Sequence, residues 1–260
     1  MQTITKYGGF KLDKNELYKL FYLIYNNPSF KNKDLILESG FGKNKVENLK
    51  LYLKHLNLLD KLYKPTELAK TIYINDKYFE DEITLWILFY HWTEKESNPY
   101  LYYHLNESSE VKTKEDLARD FRSWSLMNDI KTEYGDDFVK GLINITMNSF
   151  LDADAFKNLN IFKVQNDKYY RDIPYKVNVF LLAYILYDKR NGRTTITFDE
   201  ILEEPNNIGK VFNLNKETLL EQIYALRDVG LLKYVQTANL HHIVYTYQEA
   251  ALKLLNTYYG

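Results

Sequence analysis

The chain has 260 residues, of which 45% are hydrophobic and 27% charged, so it is long enough for two or three domains and too apolar for wholesale disorder. It contains no cysteine, which excludes disulfides, thiol catalysis and cysteine-based metal centres and fits a reducing compartment. The first residues lack the apolar segment of a signal peptide, and the most apolar run, 177–187, is too short to span a membrane. We therefore expect a cytoplasmic protein with no membrane partner.

The net charge of −1 conceals a division along the chain. Residues 1–75 carry 13 lysines and 7 acidic residues, a net charge of +6. Residues 76–170 carry 11 basic and 18 acidic residues, a net charge of −7, and residues 171–260 carry 10 of each. A basic segment beside an acidic one indicates different partners for the two segments.

The first third has the pattern of a small helical domain. Asp13 is placed to cap a helix whose apolar residues recur at helical spacing. A short helix is predicted over 33–38, a turn over 39–42, a third helix over 43–58 and an extended return over 59–65. This is the element order of a winged helix-turn-helix.

The middle third is helical, acidic and aromatic. Helices are predicted over 80–92, 114–124, 136–149 and 175–189, with a strand pair over 162–170. The tyrosine and tryptophan residues between 86 and 103 allow two interpretations, a buried core and a stacking platform for single-stranded nucleic acid. Their helical spacing favours the core.

The last third repeats the order of the first. A β-prone segment over 194–198 and a short helix over 199–202 precede a helix over 216–229. Asn215 is placed to cap that helix, and Leu219, Ile223 and Leu226 are expected to face inward. Two alternating runs, 231–235 and 243–247, then predict a hairpin, and a closing helix is predicted over 249–258.

The expected fold class is therefore mainly α with small β-wings, in which two winged helix-turn-helix units flank a helical middle region. The predicted domains are a basic winged helix over 1–75, an acidic helical domain over 76–174, and a second winged helix with a carboxy-terminal helix over 175–260.

The turn at 40–42 leads into a helix that begins with lysine and asparagine. Lysines neutralise phosphates, and asparagine can pair with an adenine edge. A phosphate-binding P-loop is excluded because Asn44 stands where that motif needs serine or threonine. The alternative is a solvated lysine surface on a helix that only packs. The predicted DNA contacts in the first unit are Lys33, Lys43, Asn44, Lys45, Asn48 and Lys54, of which Lys43 and Lys45 are expected to be exposed.

The second unit offers a smaller set of candidate DNA contacts, namely Arg193, Lys216, His241 and His242. The two histidines are adjacent on a predicted strand, so their side chains point to opposite faces and cannot share a metal ion. The alternative for them is an exposed pair without a role. His91 and His104 lie among aromatic residues and are expected in the core.

Three carboxylate clusters, at 80–82, 136–137 and 152–154, are interpreted as features of helix starts. None has the spaced lysine, histidine or second acid that would complete a catalytic set. We therefore expect no catalytic residue, no metal site and no cofactor. A nuclease that uses Asp152 and Asp154 is the least favoured alternative.

Several blocks of the sequence resemble the bacterial DUF4007 family. Tyr-Gly-Gly-Phe at 7–10 looks like the family's Gly-His-Glu-Thr-Phe opening, without its histidine and glutamate. Phe-Gly-Lys-Asn-Lys-Val at 41–46 is similar to Gly-Val-Gly-Lys-Asn-Met-Val. Tyr-Phe-Glu-Asp-Glu-Ile-Thr-Leu-Trp at 78–86 is similar to Tyr-Leu-Glu-Asp-Pro-Ala-Thr-Leu-Trp, and Tyr-His-Leu-Asn at 103–106 resembles a later aromatic–Asn motif.

Members of that family tend to be encoded with DNA phosphorothioation and anti-phage genes. The resemblance implies a component of such a system that works beside a sulfurtransferase of the phosphoadenylyl-sulfate-reductase type. Together with the basic first third, it predicts a subunit that binds double-stranded DNA and docks a protein partner through its acidic middle. The alternatives are a protein-interaction scaffold that does not touch DNA and a transcriptional regulator of a defence operon.

Overall fold

The computed structural model describes residues 2–3, 7–108, 111–131, 135–152, 154–171, 177–237 and 240–260. The chain divides into two compact units, 1–172 and 173–260. The described residues are mostly helical, with small antiparallel sheets, so a mainly α fold with small β elements is confirmed. None of the helices in the described ranges is long and apolar enough to cross a membrane.

The first unit contains eight α-helices among its described residues. They are α1 (Lys14–Asn26), α2 (Asn32–Ser39), α3 (Lys43–His55), α4 (Glu67–Asp76), α5 (Glu82–Trp92), α6 (Pro99–Asn106), α7 (Lys114–Met127) and α8 (Asp136–Leu151). Its strands are β1 (Gln2–Thr3), β2 (Lys112–Thr113), β3 (Ile130–Lys131), β4 (Phe162–Gln165) and β5 (Lys168–Arg171). Strand β1 pairs with β3 in parallel, and β2, β5 and β4 form an antiparallel sheet in that order.

The second unit consists of five helices and a three-stranded sheet among its described residues. Its helices are α9 (Val179–Asp188), α10 (Phe198–Glu203), α11 (Ile208–Val211), α12 (Lys216–Asp228) and α13 (Leu252–Tyr259). Its strands are β6 (Thr195–Thr197), β7 (Leu232–Thr237) and β8 (Leu240–Tyr245), and they form an antiparallel sheet in the order β6-β8-β7. The predicted hairpin is confirmed as β7 and β8, while its loop at 238–239 lies outside the described residues.

Side-chain caps start the helices at the predicted places. The Asp13 carboxylate accepts a hydrogen bond from the Glu16 amide at 3.0 Å, and the Asn215 side chain accepts one from the Thr218 amide at 2.9 Å. Each cap satisfies an amide that has no partner within its own helix. The inward stripe of α12, which includes Leu219 and Ile223, is buried as predicted.

Helix α3 ends three residues earlier than predicted. Asn57 has a left-handed backbone with φ 58°, and the amides of Leu58 and Leu59 both turn back to the Leu53 carbonyl, at 2.8 and 3.1 Å. The chain reverses at once, and the predicted extended return is a single bridge between Leu59 and Pro65.

Helix α6 was not predicted from the sequence. Its start is a strong local signal, because the Asn98 side chain accepts from the Leu101 amide at 3.1 Å and Pro99 occupies the first helical position. Helix α9 begins at Val179, and the predicted start at 175 lies outside the described residues.

The aromatic segment of α5 forms the core of the first unit, which confirms the core interpretation over the stacking platform. Every residue from Ile83 to Trp92 is buried. The Trp92 indole donates to the Tyr7 hydroxyl at 2.8 Å, and the same hydroxyl lies 2.7 Å from Nδ1 of His55. The Tyr7 ring stacks on Tyr52 at a centroid distance of 3.8 Å, so the segment at 7–9 is bound to both α3 and α5.

The predicted boundary between residues 75 and 76 falls inside the last turn of α4, within the first unit. The predicted boundary at 174/175 lies close to the division between the two units, at residues outside the described ranges. The separation of a basic from an acidic domain within the first unit stays a prediction.

Gly209 allows a close approach between α10 and α11. A Cβ at this position would lie 2.5 Å from the Leu202 carbonyl oxygen and 2.8 Å from that of Ile201. We expect Gly209→Ala to lower the free energy of unfolding by about 1–3 kcal/mol, because backbone atoms must shift to make room for the Cβ. This loss outweighs the higher helix propensity of alanine. Urea denaturation checks this, with Gly135→Ser as control, where a Cβ meets open space. Equal losses for the two variants would contradict the prediction.

Candidate nucleic-acid interface

The turn between α2 and α3 places lysine and asparagine at the surface. Gly40 follows the last residue of α2 with a φ of 68°, which suits glycine, and Gly42 precedes α3 in an extended conformation. Lys43 and Asn44 occupy the first turn of α3 and are exposed, as predicted. Lys33, in the first turn of α2, is also exposed.

Lys45 does not share this exposure, so the expectation of an exposed Lys45 is wrong. Its ammonium forms an ion pair with the Glu16 carboxylate of α1. It also lies 5.2 Å from the ring centroid of Phe10 and 5.7 Å from that of Phe41. Only 24% of the Lys45 side chain is accessible, so a phosphate contact would require this pair to break.

The second half of α3 brings further lysines to one surface. Lys50 donates to Oδ1 of Asn32, the first residue of α2, at 2.8 Å. Its ammonium lies 4.5 Å from the ring centroid of Tyr63, and that of Lys54 lies 5.8 Å from the same ring. Burial lowers the pKa of Lys50. The sequence did not single out Lys50 or Tyr63, because Tyr63 reaches α3 only through the chain reversal.

The turn at 60–64 is held rigidly beside α3. The Asp60 carboxylate accepts from the amides of Leu62 and Lys64, at 2.8 and 2.9 Å. The Lys64 ammonium donates to the Pro28 carbonyl at 2.8 Å. We refer to the surface formed by Lys33, Lys43, Lys50, Lys54 and Lys64 as the lysine face.

Residues 43, 47, 50 and 54 follow one stripe along α3, since they are spaced four, three and four residues apart. Glu47 is therefore an exposed negative charge within the lysine face. Asn48 lies beside the stripe, where its amide donates to the Asn44 carbonyl at 2.7 Å. It also packs closely on Gly8, at which a Cβ would lie 2.4 Å from Asn48 Nδ2.

Arg193 in the second unit is engaged within its own unit. Its guanidinium donates to both carboxylate oxygens of Glu204, at 2.6 and 3.1 Å, and to the Lys189 carbonyl at 3.2 Å. This hydrogen-bonded pair lowers the pKa of Glu204 and raises that of Arg193. The geometry is that of a structural bidentate pair, which fixes the end of α10 to the loop before β6.

The other candidates of the second unit are dispersed. Lys216 is exposed, with its ammonium 3.7 Å from the Asp199 carboxylate. His241 hydrogen-bonds through Nδ1 to the Tyr234 hydroxyl, and His242 is opposite Val235 in the β7–β8 register. Successive residues of a strand face opposite sides, so the two histidines do not converge on one point.

The carboxylate clusters have different positions in the fold. Asp81 caps α5, with its carboxylate 2.7 Å from the Ile83 amide, and Asp136 lies in the first turn of α8. The helix-start interpretation is wrong for Asp152, which follows the last residue of α8. Asp152 and Asp154 are both exposed. In the part of the chain that the structure describes, no three histidine, aspartate or glutamate side chains come together as a metal site.

The comparisons with known proteins identify a family from the sequence and a shared fold from solved structures. The sequence model of the family described as "Protein of unknown function (DUF4007)" matches residues 6–259. A crystal structure described as magnesium-ion-bound SspB has a TM-score of 0.83 and 16% identity, and another described as SspB has 0.81 and 15%. Each alignment covers 100% of this chain and 88% of that chain, and identities this low show a shared fold alone. None of the curated proteins matches the sequence.

Proposed function

Because the chain belongs to the DUF4007 family, we propose that it is a DNA-binding accessory subunit of a phosphorothioation-linked or other anti-phage defence system. The genes that tend to accompany members of this family support the setting. The likeness to the SspB structures supports the fold on which the proposal rests. The role is one of binding and positioning, and a sulfurtransferase of the phosphoadenylyl-sulfate-reductase type is the proposed partner.

The lysine face is the observation that carries the proposal. It combines the exposed Lys33 and Lys43 and the half-buried Lys50 and Lys54 with a hydrogen-bonded turn. The first turn of α3 beside it exposes Asn44. The order α1, α2, tight turn, α3 and bridged return supports a winged helix in which α3 approaches the major groove. Lysines on such a surface would hold the phosphates while Asn44 faces the base edges.

The second unit offers fewer available contacts to DNA than the first. Its order of α9, β6, two short helices, α12 and a hairpin, with sheet order β6-β8-β7, is compatible with a second winged helix. Two of its candidate contacts, Arg193 and His241, are engaged within the unit. This observation favours the second candidate function, a scaffold whose winged helices pack on protein partners.

A salt titration of duplex binding tests the proposed function. Neutralising about five phosphates by the lysine face should give a log–log slope of affinity against salt of about −4 to −5. Fluorescence anisotropy with a labelled duplex of mixed sequence measures this slope from low to physiological salt. A protein that binds no duplex at low salt would contradict the proposal and favour the scaffold.

A further inference from the structure

Four tyrosine rings form a continuous aromatic surface on the first unit, which we call the tyrosine surface. It consists of Tyr18 and Tyr22 on α1, Tyr73 on α4, and Tyr78 just after α4. The ring centroid of Tyr18 lies 4.7 Å from that of Tyr78 and 6.0 Å from that of Tyr22. The Tyr22 and Tyr73 centroids are 6.3 Å apart. The rings therefore form a connected row across two helices.

The core supports this row from behind. Phe21, which is fully buried, contacts the Tyr73 ring at a centroid distance of 5.8 Å. Tyr25 stacks on Tyr73 at 3.8 Å with an interplanar angle of 13°. The Asn26 side chain donates to the Tyr73 hydroxyl at 2.6 Å. The Tyr73 ring, held by these contacts, loses little conformational entropy when a ligand stacks on the row beside it.

Two of the four rings, Tyr22 and Tyr78, are accessible. Tyr22 is 41% exposed and Tyr78 is 48% exposed, and the neighbouring Ile74 on α4 is 75% exposed. Large apolar groups gathered at a surface mark a binding site more often than isolated ones do. A planar, weakly hydrated chemical group could stack on exposed aromatic faces of this kind.

One lysine lies at the Tyr78 end of the row, and a second lies on α1 close to Tyr22 in sequence. The Lys77 ammonium lies 5.1 Å from the centroid of the Tyr78 ring. Lys19 is exposed three residues before Tyr22 on α1, which places the two on one helix surface, and its ammonium lies 5.2 Å from the Phe41 ring. An apolar partner would desolvate these ammonium groups at a cost, whereas an anionic partner would satisfy them.

We propose that the tyrosine surface binds single-stranded nucleic acid, with bases stacked on Tyr22 and Tyr78 and phosphates held by Lys19 and Lys77. Planar bases suit the exposed tyrosine rings, and anionic phosphates suit the ammonium groups near them. The proposal goes beyond the duplex contact assigned to the lysine face and concerns a different set of residues. It predicts no sequence preference, because every base has a face that stacks.

A pair of matched variants tests the stacking. We expect Tyr22→Ala with Tyr78→Ala to weaken binding of a labelled oligothymidylate about tenfold or more for each ring removed. Tyr22→Phe with Tyr78→Phe keeps both rings and should bind as the unchanged protein does. Fluorescence anisotropy gives the affinities, and the melting temperature of each variant shows that the fold is intact.

Three results would overturn the proposal. The first is an unchanged protein that fails to bind the oligothymidylate at low salt. The second is an alanine variant that binds it as tightly as the phenylalanine variant. The third is an alanine variant that alters self-association in sedimentation velocity while strand binding stays the same, which would assign the surface to a second copy of the chain.

Lys43→Glu separates this proposal from the duplex one. That change lies on the lysine face and should leave oligothymidylate binding unchanged while it weakens duplex binding. If it removed both, the strand would lie on the lysine face and the proposal would fail. A third outcome is possible, in which the protein binds no duplex but its binding of oligothymidylate depends on the Tyr22 and Tyr78 rings. That result would support the tyrosine surface and contradict the proposed duplex function.

Discussion

Lys43→Glu should weaken duplex binding at least tenfold and leave the melting temperature unchanged. Lys43 is exposed in the first turn of α3, where reversing a charge usually changes stability by no more than about 0.5 kcal/mol. An acidic side chain there even suits the positive end of the helix dipole. A lost phosphate contact replaced by repulsion affects binding far more than folding. Anisotropy and thermal denaturation measure the two effects on the same sample.

Lys45→Glu should behave differently, although it lies only two residues away. It would place a second carboxylate against Glu16 in a half-buried site between two aromatic rings. We expect a loss of about 2 kcal/mol of stability, since a charged hydrogen bond is lost and a like-charge contact is gained. The melting temperature should fall by about 4–8 °C for a unit of this size.

Glu47→Lys is the matched control for Lys43→Glu, because it changes the charge of the lysine face in the opposite direction. Glu47 lies on the same stripe of α3 as Lys43, so the change adds a positive charge to the lysine face and should strengthen duplex binding. If Lys43→Glu and Glu47→Lys both left the affinity unchanged, the duplex would lie elsewhere, and Lys216 of the second unit would be the next candidate.

Acid should destabilise the first unit well before its carboxylates protonate. Burial, assisted by the charge of Lys54, lowers the pKa of His55 to about 4, and burial lowers that of His104 to about 3. Below the usual histidine pKa of about 6.5, the unfolded chain binds protons that the folded chain does not. The stabilising contribution is therefore complete above that pH and is lost as the pH falls towards 4. Each histidine contributes about 1.4 kcal/mol per pH unit in that window.

His104→Phe isolates one of the two contributions. The His104 ring lies between Tyr100 and Phe162, with centroids at 5.8 and 5.3 Å, and neither of its ring nitrogens has a hydrogen-bond partner among the described residues. Phenylalanine fits the same aromatic surroundings and does not titrate. Urea denaturation at intervals from pH 7.5 to 4 should show a shallower fall in stability for His104→Phe, with His242→Gln as the control. An unchanged pH dependence in His104→Phe would contradict the assignment.

Local signals in the sequence predicted the helices with side-chain caps and inward stripes. Asp13 and Asn215 each act on an amide three residues away, so the signal and its effect lie in one short window. Helix α6 was not predicted although its start, Asn98 followed by Pro99, carries a recognisable capping signal.

The candidate sites were harder to predict, because their contacts join distant parts of the chain. Lys45 and Glu16 are 29 residues apart, and nothing in the spacing of α3 indicates that α1 supplies a carboxylate at that point. The tyrosine surface likewise joins residues of α1 to residues near the end of α4. Such pairs depend on how helices pack against each other. The periodicity of residues within one helix carries no information about that packing.

The contact between Tyr7, His55 and Trp92 has a consequence for the kinetics of binding. Helix α3 is joined at its carboxyl end, through the Tyr7 hydroxyl, to the most buried helix of the unit, and Tyr52 fixes the preceding turn against the same ring. A helix held on its inner side in this way presents its outer surface in one orientation before any partner arrives. Encounter with a partner then needs no slow rearrangement of the backbone, so association at that surface should be limited by diffusion and charge attraction.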